Sequence, residues 1–321
     1  MGKTDQQNAL IKEIEKRLTQ KTKLADILIN NLGLSKEAAY RRLRNEVPFT
    51  FQETAVLAKD FGISLDSLVG VEIQKGRPFQ LKFPDFINTQ SDDYKMFDDF
   101  INFLKKIANS QNTELGILTN IIPQDIFSGF EYLTRYYIFK WQYYSQNEKI
   151  IPFGEIEIHE KAKKSLSAQF IESKKIKNTY YIIDTRIYTR IVNEIKYFHS
   201  IQLITDEEIK ILKEELMNVL DYMEELTIRG MFNETGNKVS IYITNLEITT
   251  SYSYLKSEDI KYCLIKAFLL TSATSLDNKA FEKMEAWIQA SMRTSTLITQ
   301  ANERERLQYF HKQKKIIDDL C

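Results

Sequence analysis

The side chains best suited to recognise another molecule lie close together between Ser35 and Arg44. On a helix, positions spaced i, i+3, i+4 and i+7 share one side, and here that side carries Glu37, Tyr40, Arg41 and Arg44, with Lys36 opening the helix beside them. Arginine offers a planar fork of donors that matches a guanine edge or a phosphate, whereas lysine is a point charge. The chemistry indicated is hydrogen bonding to a nucleic acid, with Ser35, Lys36, Glu37, Tyr40, Arg41 and Arg44 as candidate DNA-binding residues.

The neighbouring residues predict the two crossed helices that would present this face. Apolar residues recur at helical spacing over 24–32, and Gly33 permits the left-handed backbone that ends a helix. Ser35 is a favourable N-cap for the second helix, 36–44. Ala39 lies on the inward side of that helix and is small enough to let the two helices cross closely.

Further elements follow in an order typical of a small helical domain. Thr50 to Glu53 is a T-x-x-E capping box, in which each end side chain satisfies a free amide of the first helical turn. Gly62 ends the helix that this box starts, and Ser64 caps a short closing helix. The inward positions predicted for the capped helix are Phe51, Ala55, Leu57, Ala58 and Phe61. An amphipathic helix at 6–19 precedes the pair.

These features resemble the lambda-repressor-like helix-turn-helix fold, of the Cro and phage-repressor type. Within it, A-A-Y-R-R-L-R-N-E-V-P followed by F-G-I-S-L-D-S-L is similar to the variant called the BetR domain. The commoner family pattern has a small residue four positions before the turn glycine, and this chain departs from it with Ile29. The resemblance implies a DNA-binding transcriptional regulator that inserts helix 36–44 into the major groove.

Two other interpretations of this region stay open. The charged outer face is also what a solvated helical hairpin would show, with Arg41 and Arg42 in ion pairs to Glu46 or Glu53. A hairpin of that kind would serve as a protein-interaction module that does not bind DNA. Steep weakening of binding by salt would favour DNA, because phosphate contacts release counterions.

The rest of the chain predicts a larger domain at 93–321, joined to the helical domain at 1–72 by a linker at 73–92. Helical periodicity dominates this part, at 93–110, 129–144, 184–204, 205–226, 277–292 and 302–320. The helix at 184–204 is predicted to be capped by Asp184. Short apolar or alternating runs at 114–122, 238–254 and 260–270 predict two to four strands. The expected fold class is mainly α: an all-α N-terminal domain and a larger α+β domain, mostly helical, with a small antiparallel sheet.

The segment from 129 to 144 is strongly aromatic and apolar on more than one side. A helix of this kind is buried on more than one side, which favours the domain core. The alternative is that its aromatic rings line an effector pocket, since a phenol offers both a flat apolar face and a hydrogen bond. The candidates for that pocket are Tyr136, Tyr137 and Trp141.

Composition limits the partners and the compartment. The formal net charge is zero, so affinity for DNA must come from a local patch, which predicts weak binding by one copy and a homodimer held by the C-terminal domain. Two cysteines, Cys263 and Cys321, provide no disulfide framework and suit a reducing cytoplasm. The N-terminus is polar, and the longest apolar run, 262–270, is too short to span a membrane and contains Lys266.

The catalytic motifs we looked for are missing from the sequence. It contains no glycine-rich phosphate loop and no G-x-S-x-G elbow, and its three histidines are isolated from one another. We therefore expect no enzymatic activity, no metal and no cofactor. The expected function is transcriptional regulation, with double-stranded DNA, a second copy of the chain and a small-molecule effector as the partners, and no membrane.

Overall fold

A computed structural model describes residues 3–15, 24–63, 65, 79–82, 91–145, 150–267 and 269–320. The contacts divide the chain into two compact units, Met1–Pro78 and Phe79–Cys321. Of the predicted linker at 73–92, the described residues are 79–82 and 91–92. The end of the first predicted helix beyond Glu15 and the predicted cap at Ser64 lie outside the described residues.

The smaller unit contains four described helices: α1 (Lys3–Glu15), α2 (Leu24–Leu32), α3 (Lys36–Leu43) and α4 (Phe51–Phe61). One apolar core holds them together, and its buried members are Leu10, Ile14, Leu28, Ala39, Leu57, Ala58 and Ile63. The prediction of a helical N-terminal domain is confirmed. Phe51, which we predicted to face inward, is 80% exposed, because the buried residues of α4 lie in its second half.

The larger unit is built on an eight-stranded sheet in the order β1-β7-β6-β5-β2-β3-β4-β8. Its strands are β1 (Gln80–Lys82), β2 (Glu114–Thr119), β3 (Asn178–Asp184), β4 (Lys238–Thr244), β5 (Tyr252–Lys256), β6 (Lys261–Lys266), β7 (Ser272–Ser275) and β8 (Thr296–Leu297). The pairs β2–β3 and β3–β4 are parallel, and the remaining pairs are antiparallel. The prediction of a small antiparallel sheet is therefore wrong: the sheet is large and mixed.

Helices cover both faces of this sheet. They are α5 (Ser91–Ala108), α6 (Gln124–Phe127), α7 (Glu131–Ser145), α8 (Glu160–Ser173), α9 (Ile187–Ser200), α10 (Asp206–Arg229), α11 (Asn278–Arg293) and α12 (Glu303–Asp318), with a 3-10 turn at Phe153–Glu155. Alternate residues of β3 enter different cores: Tyr181 and Ile183 join the large core of α7, α9, α10 and α12, whereas Ile182 packs with α11. The expectation of a mainly α protein is met only in part, because this three-layer α+β unit makes up most of the chain.

Two predicted boundaries in the larger unit are wrong. The predicted helix 184–204 begins only at Ile187, and Asp184 ends a strand instead of capping a helix. The buried Asp184 carboxylate accepts hydrogen bonds from the amide and the guanidinium of Arg186. The alternating run 238–254 is two strands, β4 and β5, which pair with different neighbours. The predicted strand within 114–122 is confirmed, and the helix predicted at 205–226 begins with a capping box formed by Thr205 and Glu208.

Candidate nucleic-acid interface

The helix α3 is positioned by residues whose local roles the sequence indicated. Gly33 has a φ of 64°, the left-handed conformation that ends α2. The hydroxyl of Ser35 accepts a hydrogen bond from the amide of Ala38 at 3.2 Å and so caps α3. Ala39 is fully buried in the core between the helices. The inward side of α3 is thus anchored, which fixes the direction of its outer side.

The outer side of α3 is open to solvent. Lys36, Glu37, Tyr40, Arg41 and Arg44 are all exposed, as the helical spacing predicted. Tyr40 keeps 41% of its surface accessible although it is aromatic, and the side chains of Arg41 and Arg44 are 52% and 61% exposed. The arrangement brings a lysine, two arginines and a phenol onto one exposed side of α3, and these groups donate the hydrogen bonds that groove edges and phosphates accept.

Arg41 and Arg44 share an acidic neighbour at the end of the helix. The Nε atoms of Arg41 and Arg44 lie 3.7 Å and 2.9 Å from oxygens of Glu46. All three side chains are about half exposed, and ion pairs in that setting contribute about 0.2–1 kcal/mol. Both arginines can therefore exchange Glu46 for another anion at little cost.

Arg42, between these two residues, has a different environment. Its Nε and Nη2 atoms donate to the two carboxylate oxygens of Glu53 at 3.1 Å and 2.7 Å, and both side chains are largely buried. Burial by itself would raise the pKa of Glu53, but the hydrogen bonds from Arg42 and from the amide of Thr50 outweigh it and hold that pKa below its ordinary value. Glu53 also completes the predicted capping box with Thr50, so one carboxylate joins α3 to the start of α4.

The turn after α3 is held by the first helix. The buried amide group of Gln7 donates to the carbonyl of Arg42 at 2.6 Å and accepts from the amide of Phe49 at 3.1 Å. Asn45, with a φ of 60°, donates through Nδ2 to the side-chain oxygen of Asn8 at 2.8 Å. Sequence analysis did not anticipate this role for α1, because it joins residues far apart in the chain.

The aromatic residues proposed for an effector pocket are buried in the large core. Tyr136 packs against Phe139 and Phe198, and the ring of Tyr137 stacks on Phe127 with centroids 4.1 Å apart. Trp141 is also buried. Tyr137 lines a polar cavity of about 280 Å³, and neither Tyr136 nor Trp141 lines that cavity. Their packing agrees with the core alternative of our sequence analysis.

A second cavity of the larger unit was missed by sequence analysis. It measures about 180 Å³, lies between the sheet and the helices α5 and α8, and contains Gln124, Asp125 and Lys266. The sequence offered one signal for it, since Lys266 interrupts an otherwise apolar run. Within the ranges that the structure describes, no group of histidine, cysteine and acidic side chains could hold a metal ion, and no helix is long and apolar enough to cross a membrane.

The geometry of α2, Gly33 and α3 defines a domain of the helix-turn-helix type. The family model of the BetR domain matches residues 6–91, so the resemblance to that domain is confirmed, and the match ends before most of the larger unit. No curated protein matches the chain, and no solved structure does. The larger unit has no family match.

Proposed function

We propose that the protein is a sequence-specific DNA-binding regulator of transcription, in which α3 reads base edges in the major groove. The observation that carries this proposal is the contrast between the two sides of α3. Ala39 anchors one side in the core, while Lys36, Tyr40, Arg41 and Arg44 remain exposed on the other. The BetR match at residues 6–91 supports the same conclusion.

The contacts of each arginine indicate its role in the proposed complex. Among the described residues, the ion-pair partner of Arg41 and Arg44 is half-exposed Glu46, and a guanine edge or a phosphate can replace that carboxylate. Arg42 is committed to Glu53 and serves to hold α3 on α4. Glu37 could accept a hydrogen bond from the amino group of cytosine, and Ser35 caps the N-terminal end of α3, which is the end of a recognition helix that contacts bases.

A second copy of the chain is part of the proposal. A single short helix reads few base pairs, and the formal net charge of zero supplies no general attraction to DNA. Two reading helices about one helical turn apart, ~34 Å, would bind a palindromic site. We assign dimerisation to the larger unit, together with response to an effector, because that unit is far larger than dimerisation requires. The proposal includes no enzymatic step and no cofactor.

The test starts from selection of bound sequences out of random duplex DNA with the full-length protein. Affinity for the enriched site is then measured by fluorescence anisotropy for wild type and for the double variant Arg41→Ala/Arg44→Ala. We expect this variant to lose at least tenfold in affinity. A matched control, Arg293→Ala/Arg304→Ala, removes the same charge from two exposed positions of the larger unit and should bind normally. Failure to enrich any site, or equal binding by both double variants, would contradict the proposal.

The exposed aromatic residues favour a second candidate function. Phe51 is 80% exposed and Tyr40 is 41% exposed, and both belong to the helical unit. Aromatic side chains open to solvent are common at protein interfaces. A protein partner docked there would bind with little dependence on salt, whereas DNA affinity would fall steeply between 50 and 200 mM salt.

A further inference from the structure

The 180 Å³ cavity of the larger unit has an apolar lining of helix and strand residues. Its main apolar side chains are Ile101 and Leu104 from α5, Leu115 and Ile117 from β2, Leu255 from β5 and Leu264 from β6. An apolar cavity of roughly 150 Å³ is enough to hold a benzene molecule. This space therefore suits a branched or aromatic group of about the size of a leucine or phenylalanine side chain.

A cation lines the same cavity. The Nζ atom of Lys266, at the end of β6, donates hydrogen bonds to the side-chain oxygen of Gln124 and to the carbonyl of Leu270. Among the described residues, no carboxylate lies within ion-pair distance of it. Lys266 keeps part of its surface accessible because it lines two cavities, yet desolvation lowers its pKa to about 8. The site thus holds an ammonium group that makes no ion pair with a described residue, although the charge of Asp125 acts on it and partly offsets the effect of desolvation on its pKa.

An anion lines this cavity as well. Asp125 of α6 is 6% exposed, and its Oδ2 atom accepts a hydrogen bond from the hydroxyl of Tyr181 at 2.5 Å. Its Oδ1 atom is buried and has no hydrogen-bond partner. Burial raises the pKa of Asp125 to about 6. A buried carboxylate oxygen without a partner is costly in free energy, so it is a position where a ligand that donates a hydrogen bond would be stabilised.

The polar end of this cavity borders the polar cavity of about 280 Å³ that Tyr137 lines. Ile121, Ser251 and Lys266 line both of them. The hydroxyl groups of Ser251 and Thr119 lie 2.7 Å apart and supply neutral hydrogen-bonding groups at this border. The charged and hydroxyl groups thus meet beside an apolar space, an arrangement that suits a ligand with one polar and one apolar end.

The charges of Lys266 and Asp125 determine which ligand of this kind fits best. A simple carboxylate would pair with Lys266 but would bring a second negative charge toward Asp125. A simple amine would pair with Asp125 but would leave Lys266 beside a second positive charge. A zwitterion satisfies both, with its carboxylate on Lys266 and its ammonium donating to Asp125.

We propose that the larger unit binds a free α-amino acid with an apolar side chain, held at its charged end by Lys266 and Asp125 and at its side chain by the apolar lining. Binding of the amino acid does not depend on the DNA-binding function. Its role as an effector does rest on the proposed function, since it would then report the supply of that amino acid to the regulator.

Isothermal titration of the full-length protein, without DNA, tests the proposal. The probes are L-leucine, L-isoleucine, L-methionine and L-phenylalanine, together with 4-methylpentanoate and 3-phenylpropanoate, which are leucine and phenylalanine without the ammonium group, and 3-methylbutylamine and phenethylamine, which are the same two amino acids without the carboxylate. At least one amino acid should bind, and its matched carboxylate and amine should bind at least tenfold more weakly.

Two variants separate charge recognition from a general loss of structure. Lys266→Met should weaken the amino acid at least tenfold and strengthen the amine, whereas Asp125→Asn should weaken the amino acid and strengthen the carboxylate. A misfolded variant would strengthen neither. Lys261→Met, at an exposed position of the same strand, is the matched control and should bind as wild type does.

Three results would overturn the proposal: no binding of any of the four amino acids at millimolar concentration, binding of a carboxylate or amine as tight as that of the amino acid, or the absence of both variant-specific gains. None of these results depends on DNA. If the amino acid binds but no DNA site is enriched, the site stands and the proposed function fails. If the protein binds an enriched DNA site but no amino acid, the proposed function stands and the amino-acid site fails.

Discussion

Replacing each of two adjacent arginines of α3 by alanine should impair a different property: Arg42→Ala should lower stability, and Arg41→Ala should weaken DNA binding. Arg42 makes two hydrogen bonds to Glu53, at 3.1 Å and 2.7 Å, and the two side chains are 13% and 16% exposed. Losing a largely buried, charged partner costs about 2 kcal/mol, because the remaining carboxylate is left without its donor. For a unit of the size of Met1–Pro78, about 1 kcal/mol corresponds to ~4–8 °C in Tm. The Arg42→Ala variant should therefore melt about 8–16 °C lower in this unit.

The Arg41→Ala variant should leave stability unchanged and weaken DNA binding instead. Arg41 is 52% exposed and lies 3.7 Å from Glu46, so its removal should change the free energy of unfolding by less than about 0.5 kcal/mol. Its affinity for the selected DNA site should fall by about 1–3 kcal/mol if it reads a base. These two variants differ by one position in the chain, and each serves as the control for the other.

Circular dichroism and tryptophan fluorescence together make this measurement possible in the full-length protein. Both tryptophans, Trp141 and Trp287, belong to the larger unit, so their fluorescence follows that unit alone. Far-ultraviolet circular dichroism follows the helices of both units. The reasoning would be refuted if Arg42→Ala melted like wild type, or if both variants lost stability and DNA affinity to the same extent.

Three further predictions concern the same helical unit. Glu46→Gln should tighten DNA binding about two- to fivefold, because it releases Arg44 from an exposed ion pair worth up to ~1 kcal/mol and removes a negative charge near the DNA; unchanged affinity in anisotropy titrations would contradict this. Gly33→Ala should lower the free energy of unfolding, measured in urea, by ~1–2 kcal/mol, because alanine is strained at a φ of 64°. An added Cβ meets no atom within 4 Å, so the loss comes from the backbone alone, and Gly33→Asn should lose less. The pKa of Glu53 is lower in the folded state than its ordinary value of 4.5. The stability that the ionised Glu53 provides is therefore complete above pH 4.5, and it is lost as the pH falls through the folded-state pKa. The difference in Tm between wild type and Glu53→Gln should therefore shrink below pH 4.5, and a constant difference down to pH 3 would contradict the assigned pairing with Arg42.

The helical unit was predictable because its signals are short-range. The turn at Gly33, the cap at Ser35 and the capping box from Thr50 to Glu53 each involve residues at most a few positions apart, and the structure has all three. Exposure at the start of α4 was not predictable in the same way. Phe51 has the right spacing to join the core, but whether a neighbouring helix covers it depends on packing between elements.

The sheet was only partly predictable for the opposite reason. Asn178–Asp184 is a central strand covered on both faces and paired in parallel with β2 and β4, so its sequence lacks the alternation of a half-exposed strand. The run 238–254 has that alternation, but nothing local indicates that β5 pairs with β2 instead of β4. Register between distant strands is a non-local property that a single sequence does not display.

The cavity residues illustrate the same limit at the level of a site. Asp125 follows the proline that ends the run 114–122, and Lys266 interrupts an apolar strand far later in the chain. Each is an ordinary charged residue in its local sequence. Only the sheet, with β5 and β6 placed beside β2, brings them to one cavity.

The pairing of β1 has a consequence for the order in which the protein is made. Gln80 pairs with Thr274, so β1 lacks this partner until the ribosome has synthesised almost two hundred further residues. The four described helices that precede it share an apolar core of their own and can assemble while translation continues. A nascent chain stalled before β7 would thus carry the helix-turn-helix together with a strand that lacks its partner, and exposed strand edges of this kind promote aggregation.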